Sequence, residues 1–461
     1  MINGNKLIEL GYKPAHWFKE ALDHINKNNL NDIDLRSYLD SIVLKYKLPD
    51  YIASFENPVK YFKNISIQSK DEEKNVNDVI HAMNIVMKTP TVVTGAIMPD
   101  ACPVGENHIP VGGIAVTRNA IHPAMHSADI CCSVMMTNFG NVSPKLVLDA
   151  AHSITHFGIG GRSEFSKLPR NLENRIIENE LLGKSDRAIT LARHHLGTQG
   201  DGNHFCFVGT SKNTNETIMV THHGSRGFGA YLYSLGMKMA EKFMKNISPN
   251  ISKNSSWIPY NTEEGLNYWE ALQIVREWTK LNHSTIHDAV LHKLSLTGND
   301  RFWNEHNFVF KDDDLFYHAK GATPLDDKFV PDSKNGLRLI PLNMGQPILI
   351  VRGETTENNL GFAPHGAGRN LSRTQHKLNM GDKTINQIFK EETEGLDIRF
   401  FSKKIDISEL PSAYKNAAAV RQQMIDFNLG SIIDEIMPYG SIMAGGSELP
   451  HWKTKKLNKR N

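Results

Sequence analysis

Five short polar runs, far apart in the chain of 461 residues, limit the folds that this sequence can adopt. They combine a carboxylate, thiols and several imidazoles, which are the ligands that a borderline-soft divalent metal ion prefers. Because the runs are separated in sequence, a metal site made from them exists only after the whole region has folded. The runs are Asp129-Ile130-Cys131-Cys132, Gly202-Asn203-His204, His222-His223-Gly224-Ser225-Arg226-Gly227, His306-Asn307 and His365-Gly366-Ala367-Gly368-Arg369.

Composition argues for a folded protein and against a uniformly basic one. Hydrophobic residues make up 40% of the chain and charged residues 22%, which is ordinary for a globular protein. The formal net charge is only +2, from 52 basic and 50 acidic residues, so nucleic-acid binding would need a local basic surface. The strongest basic run is the tail, residues 451–461, which is typical of a solvated terminus.

Cysteine use and hydropathy predict a cytoplasmic protein without a membrane segment. Only four cysteines occur, and the vicinal pair Cys131-Cys132 could not close an ordinary structural disulfide, so metal binding in a reducing compartment fits better. No apolar run approaches the roughly 18–20 residues of a membrane span. The first residues, Met1-Ile2-Asn3-Gly4-Asn5-Lys6, lack a charged segment followed by an apolar one.

The pattern of apolar residues divides the chain near residue 89. Residues 1–88 are predicted to form a mostly helical accessory region, because apolar positions recur at three- and four-residue spacing. The pattern changes at Thr91-Val92-Val93-Thr94-Gly95-Ala96-Ile97, a β-run that leads into Met98-Pro99-Asp100. We therefore predict a catalytic domain over residues 89–450, followed by the basic tail.

Strands and helices alternate irregularly in this domain, which predicts an α+β fold with mixed sheets. Ser143-Pro144 is typical of a helix start, since Pro is tolerated at the first helical position. Asn261 and Glu264 resemble a capping pair for a long helix whose apolar stripe includes Trp278. Two aromatic runs around Asp312-Asp313-Asp314 predict a β-hairpin.

His365 is the candidate nucleophile. A neutral imidazole is a competent nucleophile near pH 7 and forms a reactive phosphoramidate when it attacks a phosphate. The neighbouring Gly366, Ala367 and Gly368 are small, so the sequence predicts an imidazole open to a large electrophile.

In their order along the chain, the five runs resemble the RtcB family of RNA ligases, which join RNA ends using manganese and a guanylylated histidine. The resemblance covers about residues 91–446. It implies one large RtcB-like catalytic domain of mixed sheets and helices with the helical region before it.

The resemblance implies two Mn²⁺ ions that share the Cys132 thiolate. Asp129, Cys132 and His204 match the ligands of one ion, and Cys132, His222 and His306 match those of the other. The family spacing from Asp to Cys selects Cys132, so Cys131 is expected to be a neighbour in the wall of the site. His223 falls where the family has a small Ser or Thr, which makes it the weaker ligand candidate of the His222-His223 pair.

The resemblance also implies a nucleotide site, in which His365 attacks the α-phosphate of GTP. Asp100 matches an acid required near the reacting ends, and Tyr414 matches the aromatic ring that stacks on the base. The nucleotide-binding residues implied by the resemblance are Asn203, Arg226, Asn343, Gly345, His365, Gly366, Gly368, Arg369 and Tyr414.

Several positions depart from the family, and most of them belong to its base pocket. Phe207, Ile348 and Ala444 stand where the family has Glu, Ser and Lys, and Cys102 replaces a His. Apolar replacements would leave a guanine edge without partners, at about 1–3 kcal/mol for each buried group. GTP is therefore the implied nucleotide with reduced base selectivity, and ATP could also be accepted.

The implied activity is ligation of an RNA 3′-phosphate or 2′,3′-cyclic phosphate end to a 5′-hydroxyl end, in RNA repair or tRNA splicing. An archease-like activator is a further candidate partner. Three alternatives remain at this point: a nucleotidyltransferase that caps 3′-phosphate ends, a metal-dependent phosphoesterase, and an RNA-end binding protein without catalysis. The third is disfavoured because all five implied ligands and the nucleophile are present.

Overall fold

The protein is described by a computed structural model over residues 2–15, 17–28, 30, 32–46, 52–160, 162, 165–298, 300–330, 333, 336–379, 381 and 383–446. The predicted basic tail, residues 451–461, lies outside the described residues. The α-helices are α1 (Gly4–Glu9), α2 (Trp17–Asn28), α3 (Asp32–Lys45), α4 (Lys70–Val86), α5 (Pro144–Ile154), α6 (Arg170–Glu178), α7 (Arg187–His195), α8 (Arg226–Ile247), α9 (Glu263–Leu294), α10 (Arg373–Leu378), α11 (Ile385–Glu392) and α12 (Ala417–Asp426).

Strands are distributed along most of the chain after residue 61 and alternate with these helices. They are β1 (Phe62–Lys63), β2 (Val92–Cys102), β3 (Val111–Arg118), β4 (Ala120–Ile121), β5 (Ser133–Gly140), β6 (Phe205–Ser211), β7 (Thr217–His223), β8 (Ile258–Pro259), β9 (Arg301–Glu305), β10 (Asn307–Asp312), β11 (Leu315–Lys320), β12 (Ala322–Pro324), β13 (Arg338–Pro341), β14 (Ile348–Arg352), β15 (Phe362–Pro364), β16 (Asp397–Phe400) and β17 (Ser431–Met443). The predicted α+β class with mixed sheets is confirmed.

The larger sheet has the strand order β13-β14-β17-β6-β7-β5-β9, with β16 paired parallel to the end of β17. One face packs against α5 and the end of α9 through Val147, Leu148 and Val290. The opposite face buries Phe207 and Ile348. Polar side chains stand at the ends of the central strands, among them His222 and His223 at the end of β7.

The smaller sheet has the order β1-β2-β3-β11-β10. Strands β10 and β11 form the predicted hairpin, with Phe310 opposite Tyr317. In its acidic turn, Asp312 pairs with Lys328 at 2.7 Å. Strand β2 carries Asp100, and β11 ends at Lys320, so this sheet brings two further polar side chains toward the same region.

Two predicted helix starts have different outcomes. Helix α5 begins at Pro144 after Ser143, as predicted, although the Ser143 side chain makes no capping hydrogen bond. The Asn261–Glu264 capping pair is wrong: the cap of α9 is Thr262, whose hydroxyl accepts a hydrogen bond from the Gly265 N–H at 3.0 Å. A hydroxyl one residue later reaches the same first-turn donors, which sequence spacing alone does not separate.

The first 88 residues belong to two different packing units. Helices α1–α3 share a core of their own around Leu7, Trp17 and Leu39. By contrast, the Ile52 N–H donates to the Ile247 carbonyl at 2.8 Å, β1 pairs with β2, and α4 packs beside β2. The division at residues 88 and 89 stays a prediction, and these contacts favour a division near residue 52.

None of the helices among the described residues combines the length and the apolar character needed to cross a membrane. All four cysteines are free thiols, in agreement with the expectation that Cys131 and Cys132 form no disulfide.

Candidate active site

The expected metal ligands converge because they stand at the ends of four neighbouring strands. Strand β5 begins directly after Cys132, β6 directly after His204, and β9 ends directly before His306. The register pairs Phe205 with His222 across β6 and β7, and the His306 N–H donates to the Cys132 carbonyl at 2.8 Å. Antiparallel pairing therefore places these four strand ends side by side, at the same end of neighbouring strands of the larger sheet.

Distances between the donor atoms are those of a compact cluster. Cys132 Sγ lies 3.2 Å from His222 Nε2 and 3.5 Å from His204 Nε2. Nε2 of His204 is 3.0 Å from Asp129 Oδ2, and Nε2 of His222 is 3.1 Å from His306 Nε2. The Cys132 sulfur thus lies between an Asp129–His204 pair and a His222–His306 pair.

Electrostatics in the cluster favour neutral imidazoles at His222 and His306. Burial, with the neighbouring imidazoles, lowers the pKa of His222 to about 3, and burial lowers the pKa of His306 well below its usual value. Burial would raise the pKa of Asp129, but the neighbouring His204 holds it below its usual value. Burial raises the pKa of the Cys132 thiol, which a bound cation would reverse.

The donor set fits a divalent metal ion. Cys132, His204 and His222 are buried, and their donor atoms all lie within 4.8 Å of one another. The His222 Nδ1–H donates to the Asn203 carbonyl at 3.1 Å, which leaves the Nε2 lone pair available to a metal ion. A thiolate, imidazoles and a carboxylate in this arrangement are suited to a borderline-soft ion.

The neighbouring Cys131 and His223 face away from this cluster. Cys131 has positive φ (58°) and belongs to the apolar core, where Glu305 and Thr279 lie near its thiol. It is not among the cavity-lining residues, so its expected place in the wall of the site is wrong. His223 stacks on His283 with ring centroids 3.5 Å apart. Alternation along β7 explains this, because adjacent side chains point to opposite faces.

His365 is held in place by Asp100. The distance from His365 Nδ1 to Asp100 Oδ2 is 2.5 Å, and the same oxygen accepts the His365 N–H at 3.1 Å. Asp100 is fully buried, whereas the His365 side chain is 16% exposed. A proton on Nδ1 shared with this carboxylate leaves the lone pair on Nε2. Asp100 is therefore a positioning residue for the imidazole in this structure.

Two glycines close to His365 are required because a side chain at either position would collide with neighbouring atoms. Keeping His365 accessible is not their only role. At Gly368, φ is +72° and a Cβ would lie 1.9 Å from the Asp100 carbonyl oxygen. At Gly321, φ is +67° and a Cβ would lie 2.9 Å from His365 Cε1. Both positions let backbone approach the Asp100–His365 pair, and positive φ favours glycine at each.

A cavity of about 480 Å³ joins the donor cluster to His365. This volume suits a ligand of mononucleotide size. Cys132, His222 and His306 lie in its wall together with His365, and the rings of His306 and His365 are 5.0 Å apart. The candidate nucleophile therefore faces the same space as four of the five candidate metal ligands, Asp129, Cys132, His222 and His306.

A buried carboxylate, Glu409, organises another part of the wall. Its side chain is 1% exposed and accepts hydrogen bonds from Arg369 at 2.6 Å, Arg373 at 2.7 Å and the Tyr414 hydroxyl at 2.7 Å. The Arg369 guanidinium also lies 4.5 Å from the Tyr414 ring centroid. Tyr414 is thus fixed by its hydroxyl and carries a cation over its ring.

Sequence reasoning missed Glu409, Arg373, Lys320 and Lys415. Lys320 borders the cavity, its Nζ donates to the Ile109 carbonyl at 3.0 Å, and burial lowers its pKa to about 8. The Lys415 Nζ donates to the Ala101 carbonyl at 2.7 Å, next to Asp100. The sequence offered one signal for Lys320: it is a charged residue at the end of the largely apolar strand β11, and such a residue is rarely buried without a specific role.

The remaining predicted nucleotide-binding residues divide into two groups. Asn203, Asn343, Gly366, Gly368, Arg369 and Tyr414 line the cavity with His365. Arg226 and Gly345 are absent from its lining among the described residues. The Arg226 guanidinium and the His204 ring both pack against Gly200. A Cβ on Gly200 would collide with Arg226 Nη1 and with His204 Nδ1. The Gly345 N–H donates to Asn343 Oδ1 at 3.0 Å, so it shapes the loop.

The side of the cavity expected to hold the base is largely apolar. Phe207 and Ile348 line it and are 2% and 1% exposed. Phe205 and Met443 extend the same wall, and Ser441 adds one hydroxyl. Ala444 is not among the residues that border the cavity in the described part of the chain, and its carbonyl accepts a hydrogen bond from the Ser402 N–H.

An accessible imidazole lies beside a cluster of thiol, imidazole and carboxylate donors, an arrangement suited to metal-assisted group transfer. The family model of the tRNA-splicing ligase RtcB matches residues 158–444, which is more than half of the chain. The chain belongs to the RtcB family.

Individual relatives come from both archaea and bacteria. The tRNA-splicing ligase RtcB of Aeropyrum pernix is 27% identical over 301 residues, 56% of this chain and 61% of that protein. The RNA-splicing ligase RtcB of Escherichia coli K12 is 26% identical over 370 residues, 72% of this chain and 86% of that protein. The tRNA-splicing ligase RtcB of Archaeoglobus fulgidus is 24% identical over 477 residues, 86% of this chain and 96% of that protein.

Proposed function

We propose that this protein is a manganese- and nucleotide-dependent RNA ligase. It joins an RNA 3′-phosphate end, or a 2′,3′-cyclic phosphate end after opening, to a 5′-hydroxyl end. The observation that carries the proposal is the single cavity shared by the donor cluster and His365, whose Nδ1 is held 2.5 Å from Asp100. Family membership and the names of the relatives, all tRNA- or RNA-splicing ligases, support the same activity.

Nucleotide transfer begins at His365. Its Nε2 attacks the α-phosphate of the nucleotide, so an N–P bond forms, the bond to the β-phosphate breaks, and pyrophosphate leaves. Asp100 keeps the Nδ1 proton and the ring orientation during this step, because its carboxylate accepts from both the ring and the backbone of His365.

Ligation then uses the two RNA ends. An oxygen of the RNA 3′-phosphate attacks the phosphorus on His365, and the N–P bond breaks. The 5′-hydroxyl oxygen next attacks the RNA 3′-phosphorus and loses its proton, and the mononucleotide leaves. Two Mn²⁺ ions, held by Asp129, Cys132 and His204 and by Cys132, His222 and His306, would neutralise the phosphate charge that repels these attacks.

The base site combines one stacking ring with apolar walls. Tyr414 is fixed by Glu409 and Arg369, so its ring is pre-oriented for a base. Phe207 and Ile348 offer contact area and no hydrogen bonds to a base edge. We therefore propose GTP as a substrate without strict selection against ATP.

Location and helper proteins are extensions of the proposal. A cytoplasmic location follows from the reduced cysteines, and an archease-like activator follows from the resemblance to the family. Ligation rates with and without a purified activator of that kind would test the second extension. An unchanged rate and turnover number would exclude it.

Intact mass spectrometry tests the first step. The protein is incubated with Mn²⁺ and each nucleoside triphosphate separately, with a metal-free sample as the control. The expected result is a mass gain of one nucleoside monophosphate unit with GTP, lost under acid because a phosphoramidate is acid-labile. Absence of any adduct with all four nucleotides would reject nucleotide transfer.

End analysis of a model RNA separates ligation from the alternatives. An RNA with a 3′-phosphate is incubated with a 5′-hydroxyl partner, Mn²⁺ and nucleotide. Joined product supports the ligase, whereas a capped 3′ end or a 3′-hydroxyl end would indicate the nucleotidyltransferase or the phosphoesterase. Binding of the RNA with unaltered ends would indicate a binding protein.

A further inference from the structure

An exposed strip of aromatic side chains lies outside the cavity, near the segment that leads to the candidate ligand His204. We call it the aromatic strip. It consists of two clusters of planar side chains, and the segment after α5 contributes residues to both of them. Its members are His156, Phe157, Arg162, Phe165, His194 and Phe401.

The first cluster is built around Phe165. Its ring stacks on His194 with centroids 4.9 Å apart and planes 25° apart, and the Arg162 guanidinium lies 5.2 Å from its centroid. Arg162 is fixed by hydrogen bonds to the carbonyls of His194 at 3.1 Å and Leu196 at 3.0 Å. Phe165 nevertheless remains 46% exposed, so this stack of planar groups faces solvent.

The second cluster is built around Phe401. This ring meets His156 at 5.0 Å and Phe157 at 5.6 Å and is 38% exposed. The Phe401 N–H donates to the carbonyl of Met443, whose side chain lines the cavity. One end of the strip therefore adjoins the wall of the proposed base site.

The backbone links the strip to the donor cluster as well. The Gln199 N–H donates to the His156 carbonyl at 2.8 Å, and the Gly158 N–H donates to the Gln199 carbonyl at 3.0 Å. The next residue, Gly200, packs against the His204 ring and Arg226. The segment that follows α7 thus contacts the strip at His156 and Gly158 and leads directly to the candidate metal ligand His204.

The two exposed phenylalanines of the strip are followed by the same cationic pattern. Phe165-Ser166-Lys167 and Phe401-Ser402-Lys403 both place an exposed lysine two residues after an exposed ring. Rings that accept stacked bases, with cations spaced to meet phosphates, are the elements of a surface for single-stranded nucleic acid. The chain's net charge of +2 makes such a local arrangement necessary for RNA binding.

We propose that the aromatic strip binds unpaired nucleotides of the RNA strand whose end enters the cavity. The inference rests on the proposed function for the identity of the nucleic acid. Bases stack on the exposed planar groups of the two clusters, and Lys167 and Lys403 contact the phosphates between them. The strip then determines the affinity for RNA with an unpaired flank, while His365 determines the chemistry.

Fluorescence anisotropy with a labelled 12-nucleotide RNA carrying a 3′-phosphate tests the proposal. Phe165→Leu and Phe401→Leu should each weaken binding about tenfold, since stacking on one aromatic ring contributes that much. Phe165→Trp should restore it, because it keeps a planar ring. Phe55→Leu is the matched control, an exposed phenylalanine in the segment before β1.

Two further measurements keep the outcome unambiguous. Lys167→Gln should lower the salt dependence of binding by about 0.7 in the log–log slope, as expected for one lost phosphate contact on a single strand. Wild-type affinity for the 12-nucleotide RNA in a Phe165→Leu, Phe401→Leu double variant would overturn the proposal.

The nucleotide adduct on His365 distinguishes this inference from the proposed function. It should form at the wild-type rate in every strip variant, because none of these residues lines the cavity. If a strip variant forms the adduct and its RNA affinity is unchanged, the proposal about the strip is rejected and the proposed function is kept. Weakened RNA affinity in a protein that never forms the adduct would keep the strip and reject the proposed chemistry.

Discussion

On the reactive side of the cavity, polar groups hold one another at short distances, whereas the opposite wall is made of aromatic and aliphatic side chains. Asp100 orients His365, and Cys132 lies within 3.5 Å of two imidazoles. On the other side, Phe207 and Ile348 continue directly into the apolar core beneath them. The reactive side is therefore suited to bind a ligand through directional polar contacts, and the opposite wall through apolar contact area.

The difference indicates how each side responds to change. Hydrogen bonds and metal bonds depend on direction, so loss of one partner leaves the other misplaced or unpaired. Apolar contact depends on area and tolerates several ligands of similar shape. We expect large losses from single changes on the reactive side and modest shifts in preference on the apolar side.

The largest effect is expected for His365→Ala. This change should abolish the covalent mononucleotide adduct while bound manganese stays nearly unchanged, because His365 is not among the proposed ligands. Intact mass and elemental analysis measure the two quantities. His152→Ala, on the exposed side of α5, serves as the control. An adduct of normal yield in the His365 variant would refute its role as nucleophile.

A smaller but still large effect is expected for Asp100→Asn. An amide can donate to Nδ1 and so favours a proton on Nε2, which removes the attacking lone pair. Adduct formation should slow by about 10²- to 10⁴-fold, as for a wrong histidine tautomer in other enzymes. Single-turnover rates measure it, with Asp313→Asn in the exposed turn as the control. A wild-type rate would mean that Asp100 is only structural.

Next in size is the difference between the two adjacent cysteines. Cys132→Ala should weaken manganese binding by about 10-fold or more, whereas Cys131→Ala should leave it close to wild type, because Cys131 faces Thr279 and Glu305. Metal titration of both variants, checked for equal melting temperatures, gives the comparison. Equal losses would mean that the proposed bridging position is wrong.

The smallest effect is expected on the apolar side. GTP and ATP should form the adduct with efficiencies within about tenfold of each other, since apolar walls reject an alternative base poorly. Tyr414→Leu should weaken both nucleotides by a similar factor, because stacking does not depend on the base edge. Competition between the two nucleotides at equal concentration measures the ratio. Strict use of GTP would show that other residues supply the guanine contacts.

The sequence by itself determined the class of the fold and the candidate residues of the site. Candidate donor residues could be recognised because metal ligands are a small set of residue types. The resemblance to the family then selected Asp129, Cys132, His204, His222 and His306 among them. Alternation of apolar patterns was enough for the α+β class, and local spacing was enough for the start of α5 and for the β10–β11 hairpin.

Only the tertiary structure decided how the groups are partnered. The Asp100–His365 contact spans 265 positions, and Glu409 meets Arg369 and Arg373 across 40 and 36 positions. Local periodicity reports which face of an element is buried, and carries no information on which distant element covers it. Strand register, fixed only when the sheets assemble, set which cysteine faces the donor cluster and which side chains wall the cavity.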